Sequence, residues 1–580
     1  MTATNPSVTA AAPTRLFLPD DDVELAALAG YCSAHADTIA LSPDPLYVYA
    51  RGSDPRRRVG LVSGGGSGHE PMHAGFVGRG GLDAAVPGRV FASPHNRQIY
   101  EASRRVAGDG GVLHVVKNYT GDRIHFGIAA ERLAAEGVPV ERVLVDDDVA
   151  TDSDETGTGR RGTGATVIVE KLLGALADTG ASLTDLKAFG DRVVSESRSI
   201  AVASGPHTSF ATRQPAFEIA EGTVEYGIGI HGEPAQDSAE FRGLEPVVER
   251  MLASLLDALP GGTDRVLLLV NGLGSTTAIE LGAIAGLVDK MLGARGVAID
   301  GALVGTYVSA LDMRGFLLTL TRSDDERTAL WLADATLPGL PPMSPFASAL
   351  ASSQPDTSTS AADGGVETDD PFLQATAATV RDAHAVLTRL DQLAGDGDFG
   401  DNLLEGVQNA QGIPSAEDGV TRLARSFLDT VGGSSGPLIG LVLDAIADEV
   451  ASVDSAEAAT ALQRGISRGM ESVQRAGGAS PGDRTMLDAL EGARRASAQS
   501  VTDIVRGAVD GAAGTAQMTA RFGRASYVGA RAVGSPDAGA VGIAVLIGLI
   551  AAHLDSAVAD DCRAVINELL TDSARIDPET

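Results

Sequence analysis

Cysteine, aromatic residues and positive charge are all scarce in this chain of 580 residues. The two cysteines, Cys32 and Cys562, lie far apart in sequence, so neither a disulfide framework nor a thiolate metal site is indicated. Lys and Arg number 45 against 77 Asp and Glu, and the net charge of −32 opposes binding to the phosphate backbone of a nucleic acid. An aromatic fraction of 4% beside 70 glycines favours tight loops and close packing of helices with small residues.

Long apolar runs and an N-terminal signal pattern are missing as well. The most apolar run, residues 540–552, is about 13 residues long, whereas a membrane-spanning helix needs about 20. Residues 1–14 are small and polar, without a basic stretch followed by an apolar one, so we predict a disordered N-terminus. We therefore expect a cytoplasmic protein that binds neither membranes nor nucleic acid.

Several common signatures are absent or misplaced. The chain has neither a G-x-x-x-x-G-K-[ST] sequence nor a protein-kinase catalytic loop. Residues 432–436 (GGSSG) match the G-x-S-x-G elbow of acyl hydrolases, but no strand pattern precedes them. Residues 157–162 (GTGRRG) match the dinucleotide fingerprint G-x-G-x-x-G, but about ten residues separate them from the preceding strand. An NAD-dependent oxidoreductase is therefore a competing function that rests on this motif alone.

The composition and the hydrophobic pattern of the chain change twice along its length. Residues 15–336 alternate strand-like and helix-like segments, which predicts an α/β domain with a largely parallel sheet and, from a second strand-then-glycine pattern, two lobes. Six prolines with many Ser, Thr and Ala make residues 337–371 a predicted flexible linker. Residues 372–580 carry apolar residues at three- and four-residue spacings and form a predicted all-helical domain. Its predicted helices are 372–390, 419–431, 438–450, 456–476, 484–498, 501–522 and 541–554.

An acidic loop in the helical domain indicates a metal–phosphate site. Asp391, Asp396, Asp398 and Asp401 lie within eleven residues, with three glycines and no Lys or Arg among them. Clustered hard oxygen ligands need a cation, and Mg²⁺ carrying a phosphate is the usual one; a solvated acidic turn is the alternative. The spacing does not fit an EF-hand. Three glycine-bearing loops, 432–437, 477–483 and 534–539, would complete a phosphate cradle through backbone N–H groups and helix N-termini.

Eight of the ten histidines lie in residues 1–231, and three of them, His69, His73 and His231, stand in glycine-rich contexts. A structural histidine is the alternative interpretation for each. The β-type sequence VEYGIGI before His231 would place its imidazole at a strand end, where it can act as a nucleophile or base. Asp122 follows another strand in the same way, and ligands bind at the carboxyl ends of strands in open α/β sheets.

Seven motifs in order give the chain a family resemblance. They are SGGGSGHEP (63–71), KNYTGD (117–122), GIGIHGEP (227–234), GDGD (395–398), GGSSGP (432–437), PGDRTM (481–486) and GRASY (523–527). With these motifs the chain resembles the single-chain, ATP-dependent dihydroxyacetone kinases, a family that includes erythrulose kinases. The resemblance extends over residues 15–575.

The resemblance implies a two-lobed α/β domain that binds a short ketose, followed by a barrel of eight helices that binds ATP with two Mg²⁺ ions, in a homodimer. His231 would form a hemiaminal with the ketose carbonyl, His69 and Asp122 would handle the proton of the reacting hydroxyl, and Gly66 and Lys117 would contact the substrate. The implied metal ligands are Asp391, Asp396 and Asp398. The implied nucleotide-binding positions are Phe399, Gly400, Asp401, Asn402, Ser434, Ser435, Gly477, Met486, Arg524, Asp537, Ala538 and Gly539.

One position departs from the family pattern, and the substrate stays open. Phe399 stands where many relatives have His, and we expect catalysis to survive because neither ring supplies a metal carboxylate. The motifs fit dihydroxyacetone and D- or L-erythrulose equally, because all present a carbonyl beside a hydroxymethyl group. Some relatives draw phosphate from a phosphoenolpyruvate-dependent carrier, but the fusion of both domains with complete nucleotide loops favours ATP. A binding module without catalysis would show damaged Asp ligands, whereas these are intact.

Overall fold

The structure is a computed structural model that describes residues 16–19, 21–151, 159–347, 370–394, 397–413, 417–451, 453–522, 526 and 533–575. The chain divides into two compact units, Met1–Pro355 and Asp356–Thr580. The predicted disordered start, 1–14, and residues 348–369 of the predicted linker lie outside the described residues.

Unit one contains two six-stranded sheets. The strands of the first are β1 Ile39–Pro43, β2 Leu46–Ala50, β3 Gly60–Ser67, β4 Ala84–Val90, β5 Val112–Lys117 and β6 Val140–Val145. Their spatial order is β1-β2-β4-β3-β5-β6, in which β4, β3, β5 and β6 are parallel and β1 and β2 add an antiparallel edge. β3 is buried along its whole length, as expected of a central strand covered on both faces.

The second sheet is mostly antiparallel. Its strands are β7 Ser197–Gly205, β8 Thr223–Tyr226, β9 Asp237–Glu240, β10 Arg265–Gly272, β11 Ala298–Gly305 and β12 Arg314–Arg322. In the order β11-β10-β12-β7-β8-β9 only β10 and β11 are parallel. The predicted α/β class is confirmed, but the prediction of a largely parallel sheet is wrong for this lobe. β7, β8 and β9 follow one another through loops, and without a helical crossover neighbouring strands run antiparallel.

One helix joins the two lobes into a single core. The helices of unit one are α1 Val23–Ala34, α2 Asn96–Val106, α3 Thr120–Ala135, α4 Ala165–Ala177, α5 Leu183–Ser195, α6 Leu244–Ala258, α7 Ala278–Ala294 and α8 Asp325–Leu332. α4 is buried almost throughout and contacts β5 of the first sheet together with β7 and β12 of the second. Apolar residues of both sheets therefore share one hydrophobic cluster around it.

The first residues assigned to the linker pack on unit one. Leu337 and Leu340 are buried in the shared core, and Pro345 forms a bridge to Gly301 of β11. Burial of these two leucine side chains holds the proline-rich stretch against unit one. The described start of the predicted linker, 337–347, is therefore part of the unit one surface.

The described residues of unit two contain helices and turns but no strand, which confirms the helical prediction. The helices are α9 Pro371–Ala394, α10 Phe399–Gly412, α11 Gly419–Asp429, α12 Ser435–Val450, α13 Ala458–Gly477, α14 Met486–Arg495, α15 Val501–Gly514, α16 Ala538–Leu554 and α17 Ala559–Ala574. Two of them, α10 and α17, were not predicted, and the predicted helix 501–522 ends as an α-helix at Gly514. α10 begins inside the acidic, glycine-rich segment that was interpreted as a loop.

α16 forms the centre of unit two. It has no Asp, Glu, Lys or Arg, it is buried over nearly its whole length, and it contacts α9, α14, α15 and α17 among others. No single described helix combines the length and apolarity needed to cross a membrane, and Ala538–Leu554 with Ser556–Ala574 does so only as a pair bent by 119°. The apolar run noted in the sequence is therefore the core helix of this unit.

Candidate active site

The glycines of β3 lie directly over a buried lysine. A Cβ on Gly65 would lie 2.2 Å from Nζ of Lys117, and a Cβ on Gly66 would lie 2.7 Å from the backbone N of Ala92. A larger residue at either position would displace its neighbour. Lys117 ends β5, which pairs with β3 in parallel, and its side chain is buried. The two predicted substrate contacts, Gly66 and Lys117, thus lie at the carboxyl ends of adjacent strands.

His69 follows β3 and presents a buried, unprotonated ring nitrogen. Its Nδ1 lies 2.7 Å from the carbonyl oxygen of Ser309, and because a carbonyl only accepts, Nδ1 carries the proton. Nε2 is buried and has no hydrogen-bond partner among the described residues. Burial, helped by the charges of His231 and Lys117, lowers the pKa of His69 well below its usual value. The ring is therefore neutral at pH 7, and Nε2 can accept a proton.

His231 lies in a turn and is oriented by Glu233. β8 ends at Tyr226, so the prediction that His231 stands at the strand end is wrong by five residues, because Gly227 turns the chain first. Its Nδ1 lies 2.9 Å from Oε1 of Glu233, and its backbone N donates to Oε2 at 3.0 Å. Burial raises the pKa of Glu233, but the hydrogen bond to His231 and the charges of His231 and Arg161 outweigh it and hold it at about 2.

The ionisation of Glu233 fixes the tautomer of His231. A carboxylate can only accept a hydrogen bond, so the ring proton of His231 is on Nδ1. Nε2 then carries the lone pair and can act as a nucleophile towards a carbonyl carbon.

Arg161, which lies in the G-x-G-x-x-G match, stabilises the turn that contains His231. Its guanidinium pairs with Asp148 at 2.7 Å, donates to the carbonyl oxygen of Gly227 at 2.8 Å and lies 3.9 Å from Oε2 of Glu233. The described part of that loop, 159–162, therefore supports the His231 turn, which gives no support to the dinucleotide alternative.

Aromatic rings enclose His231. The ring centroids of His69 and Tyr119 lie 4.8 Å from it, and that of Phe91 lies 5.4 Å away. His207 packs edge-on against Phe91 at 5.1 Å. The hydroxyl of Tyr119 and Nδ1 of His207 are buried without a hydrogen-bond partner among the described residues. Tyr119 stands inside the KNYTGD motif, but Phe91 and His207 carry no local sequence signal, so sequence reasoning missed them.

Asp122 lies in the first turn of α3, directly after β5. Its side chain is buried, and Oδ1 has no hydrogen-bond partner among the described residues. Its charge acts on Lys117, whose pKa burial lowers while Asp122 and Glu170 raise it. Buried polar atoms without partners are rare in folded proteins. The unpaired atoms of His69, Asp122 and Tyr119 therefore suit a small ligand that brings carbonyl and hydroxyl groups.

A cavity of about 290 Å³ in unit two is bordered by the beginnings of four helices. Ten predicted positions line it: Asp391, Asp398, Phe399, Asn402, Ser434, Ser435, Gly477, Met486, Asp537 and Gly539. Phe399 begins α10, Ser435 begins α12, Met486 begins α14, and Gly539 is the second residue of α16. Unpaired N–H groups and the positive ends of helix dipoles favour phosphate at such a place.

Two of the three predicted metal ligands line this cavity. Oδ2 of Asp391 accepts the backbone N–H of Phe399 at 3.0 Å, which ties the end of α9 to the start of α10, and Asp398 precedes α10. The third ligand, Asp396, lies outside the described residues. Among the described residues no cluster of three or more His, Cys, Asp or Glu side chains could hold a metal. Carboxylate oxygens are the ligands that Mg²⁺ prefers, so Asp391 and Asp398 fit that ion.

The buried Arg484 and the half-buried Asp537 lie beside the cavity, and both have shifted pKa values. Oδ1 of Asp537 caps α16 by accepting from the N–H of Ala540 at 2.8 Å. Burial raises the pKa of Asp537 to about 6, against the opposing effects of that hydrogen bond and of Arg484. Arg484 donates to the carbonyl oxygen of Ser535 at 2.9 Å, and burial lowers its pKa. Arg484 was not predicted as a site residue, although it stands inside the PGDRTM motif.

Three predicted nucleotide positions do not line this cavity. A Cβ on Gly400 would lie 2.2 Å from Oγ1 of Thr388, and Oδ1 of Asp401 lies 2.7 Å from Nε2 of His384, so both residues face α9. Successive helical residues point about 100° apart, which is why Phe399 and Asn402 face the cavity when the two between them do not. Ala538 is buried at the start of α16, and Arg524 lies outside the described residues.

Phe399 and its neighbours supply an apolar wall. A Cβ on Gly542 of α16 would lie 2.6 Å from the Phe399 ring, so this ring packs against a glycine of the central helix. Lining residues that the sequence did not indicate are Gly433, Leu438, Val473, Ala479, Arg484, Thr485, Leu487 and Phe522. Most of them are apolar, and such a wall suits a flat ring next to a phosphate-binding edge.

Comparison with known proteins places both units among kinases. The Dak1 domain family matches residues 29–339, and the DAK2 domain family matches residues 393–552. Human triokinase/FMN cyclase is 37% identical over 535 residues, covering 86% of this chain and 92% of that protein. The L-erythrulose 1-kinase of Mycolicibacterium smegmatis is 32% identical over 577 residues, covering 93% of this chain and 100% of that protein.

A solved structure also matches over both units. The dihydroxyacetone kinase from C. freundii, crystallised in complex with AMP-PNP and Mg²⁺, covers 93% of this chain and 100% of its own. The TM-score is 0.61, and the sequence identity is 29%. The similarity therefore extends to sequence and fold together.

Proposed function

The chain belongs to the dihydroxyacetone kinase family, and from this premise we propose that it transfers the γ-phosphate of ATP to a terminal hydroxyl of a short-chain ketose. The protein is an ATP-dependent ketose kinase that uses Mg²⁺. The observation that carries the proposed chemistry is the His231–Glu233 pair next to the ring of His69, whose buried Nε2, like Oδ1 of Asp122, has no hydrogen-bond partner among the described residues.

The ketose is anchored on His231 as a hemiaminal. The Nε2 lone pair attacks the carbonyl carbon, and the electron pair of the C=O bond moves to oxygen, which takes up a proton. The oxygen takes its proton from water, and the imidazole, which gains positive charge, is stabilised by the carboxylate of Glu233 2.9 Å away until its Nδ1 proton returns to water. Water thus gives one proton and regains one, so atoms and charge balance and the product is a neutral, covalently held substrate.

The reacting hydroxyl loses its proton to the neighbouring acceptors. Nε2 of His69 is unprotonated, and Oδ1 of Asp122 has no hydrogen-bond partner in the part of the chain that the structure describes, so either can accept the proton of a substrate O–H group. The O–H bond breaks as the oxygen attacks phosphorus, and the bond from phosphorus to the leaving diphosphate breaks. Lys117 and the backbone at Gly66 hold the substrate beside these groups.

The helical unit holds the nucleotide at the helix beginnings. Bound Mg-ATP supplies the phosphoryl group, with Mg²⁺ drawing charge from its phosphates. Asp391, Asp396 and Asp398 are the proposed ligands of two ions, and the N-termini of α12 and α16 face the phosphates. Arg524 is the proposed partner of the leaving diphosphate. The remaining proposed contacts are Phe399, Asn402, Ser434, Ser435, Gly477, Met486, Asp537 and Gly539, whereas Gly400, Asp401 and Ala538, which do not line the cavity, stay predictions of the sequence.

The helical unit is proposed to be a barrel of eight helices. Helices α9 to α15 contact one another in sequence order, and α17 contacts both α15 and α9, so these eight form a ring around α16. This ring supports the proposed barrel. The proposed domains are 15–336 and 372–580 with the linker 337–371 between them. The homodimer and the cytoplasmic location stay predictions of the sequence.

The substrate is either dihydroxyacetone or a four-carbon ketose. Dihydroxyacetone is the proposed substrate, and D- or L-erythrulose, giving erythrulose phosphate in tetritol catabolism, is the alternative. This alternative is supported by the L-erythrulose 1-kinase of Mycolicibacterium smegmatis, whose match covers 93% of this chain. Both classes share the carbonyl that His231 would attack.

A coupled ADP-release assay tests the proposal. The substrates are dihydroxyacetone, glyceraldehyde, D-erythrulose and L-erythrulose, with ATP and Mg²⁺. We expect ADP release with at least one ketose, and the relative kcat/KM values decide between three and four carbons. The absence of ADP with all four would refute the ketose kinase.

A separate measurement addresses the hemiaminal. ¹³C NMR of dihydroxyacetone labelled at C2 should show the carbonyl signal move into the range of tetrahedral carbon on binding. The signal should stay in the carbonyl range with His231→Ala, for which we expect a severe rise in KM.

A further inference from the structure

A line of three ionisable side chains lies buried beneath the glycines of β3. Nζ of Lys117 lies 2.7 Å from Nε2 of His73, and Nδ1 of His73 lies 2.6 Å from Oε1 of Glu170 on α4. Their exposed fractions are 1%, 5% and 0% respectively. Three groups of this kind are costly to bury unless they satisfy one another.

The hydrogen bonds in this line run in one direction. The Glu170 carboxylate accepts, so Nδ1 of His73 carries the ring proton, and Nε2 accepts from the Lys117 ammonium. The hydroxyl of Ser63, 3.1 Å from the same Nδ1, donates its own proton to the carbonyl oxygen of Val115 at 2.8 Å. The hydrogen bonds therefore run from Lys117 through His73 to Glu170, and the ring of His73 is neutral.

Lys117 faces charged and titratable groups from several elements. Asp122 at the start of α3 and Glu170 on α4 are anionic and favour its ammonium form. His69 and His73, from the segment after β3, are held neutral in part by that ammonium. Burial works against the charge on Lys117 and lowers its pKa. The charge of Lys117 therefore depends on two carboxylates, of which only Asp122 is part of the proposed reaction.

We propose that His73 and Glu170 are positioning residues that keep Lys117 charged and aimed at the ketose. The inference rests on the proposed function, because it assigns the two residues to the substrate contact of that reaction. Gly65 belongs to the same arrangement, because the absence of a Cβ there leaves the space that Nζ of Lys117 occupies. His73, singled out by its glycine-rich context, thereby gains a role through Lys117 rather than direct contact with the substrate.

The pH profile of the reaction separates this role from a purely structural one. Glu170→Gln keeps the size and the acceptor for His73 but removes the negative charge. The pKa of Lys117 then falls further, because one of its two supporting anions is gone. The basic limb of kcat/KM for the ketose should move to lower pH by about one unit, as expected for the loss of one buried charge nearby.

The experiment compares wild type, Glu170→Gln and the control Ser63→Ala. Ser63→Ala also perturbs the surroundings of His73 but changes no charge, so its basic limb should coincide with that of wild type. A folded Glu170→Gln with an unshifted basic limb overturns the inference, as does an equal shift in Ser63→Ala. If Glu170→Gln does not fold, His73→Leu decides, because it removes the acceptor that Nε2 of His73 offers to the ammonium of Lys117. His73→Leu should also move the basic limb to lower pH, and an unshifted limb overturns the inference.

Failure of the proposed function is recognised separately. A wild-type enzyme that releases no ADP with any ketose refutes the kinase reaction. If the wild-type enzyme turns over normally and the Glu170 or His73 variant keeps the wild-type pH profile, only the role of His73 and Glu170 is refuted.

Discussion

Nδ1 of His231 lies 2.9 Å from Oε1 of Glu233, a carboxylate whose pKa is held at about 2. The two residues are separated by a single glycine, Gly232, at a φ of 82°, a backbone conformation that glycine adopts without strain. Glu233 therefore stays ionised over the whole neutral pH range, and its hydrogen bond keeps His231 oriented. Its effect is to direct the lone pair of Nε2 away from Glu233.

Replacing Glu233 by Gln should impair the enzyme through the His231 tautomer. The amide can donate to Nδ1, which would then lack its proton and leave Nε2 protonated and unable to attack. Loss of a charge-assisted hydrogen bond of about 1.5–3 kcal/mol corresponds to a fall in kcat/KM of roughly 10- to 100-fold. Steady-state ADP release measures this, with Glu218→Gln, an exposed glutamate nearby, as the matched control. Equal effects of both substitutions would contradict the prediction.

Gly65→Ala should weaken ketose binding while the fold is kept. The new Cβ would lie 2.2 Å from Nζ of Lys117, and the end of a lysine side chain can move aside. Lys117 would then lose its contact with His73, and we expect a raised KM for the ketose. Gly127→Ala is the control, because a Cβ there, on α3, meets nothing within 4 Å and favours the helix by up to about 1 kcal/mol. An unchanged ketose KM in Gly65→Ala would show that Lys117 does not depend on this gap.

Asp391→Asn should separate phosphate transfer from ketose binding. If Asp391 holds Mg²⁺, its loss removes several kcal/mol of charge stabilisation and lowers kcat on the order of a hundredfold or more. Ketose affinity, measured by calorimetry without nucleotide, should stay at the wild-type value, because the ketose groups lie in unit one. Asp382→Asn, an exposed aspartate on the same helix, is the control. A normal kcat in Asp391→Asn would remove this residue from the metal site.

His114 should make unit one less stable in acid. Burial, with the charge of Arg142, lowers the pKa of His114 to about 3, whereas an unfolded His has a pKa of about 6.5. The unfolded state therefore binds a proton that the folded state refuses, and the stabilisation is lost as the pH falls from about 6.5 towards 3. The loss is at most about 1.4 kcal/mol per pH unit.

Urea unfolding at several pH values tests this contribution. The fluorescence of the single tryptophan, Trp331, reports on unit one, because its side chain is fully buried there. Stability should fall less steeply below pH 6.5 in His114→Phe than in wild type, and the two slopes should agree above about pH 7. Parallel slopes in acid would mean that His114 is protonated in the folded state.

Most of the helices and the glycine-bearing loops of unit two could be predicted from the sequence. The predicted helices 456–476 and 541–554 appear as α13, Ala458–Gly477, and α16, Ala538–Leu554, because the spacing of apolar residues that sets them is local. The glycine-bearing loops were likewise predicted from local features to border a phosphate site, whereas the individual residues that line the cavity came from the family resemblance. Helix α10 was not predicted because its first turn is rich in glycine and aspartate. That first turn is held by contacts with α9 and α16.

Contacts between distant residues were decided only by the tertiary structure. Glu170 is 97 residues from His73, and His73 is 44 residues from Lys117, so no periodicity could join them. Phe91 is 140 residues from His231, so their contact likewise depends on the tertiary structure. The sequence by itself determined which side chains bring the chemistry, because residue type and local turns are encoded locally. Packing decided their protonation and direction, because burial and neighbouring charges come from parts of the chain that only folding brings together.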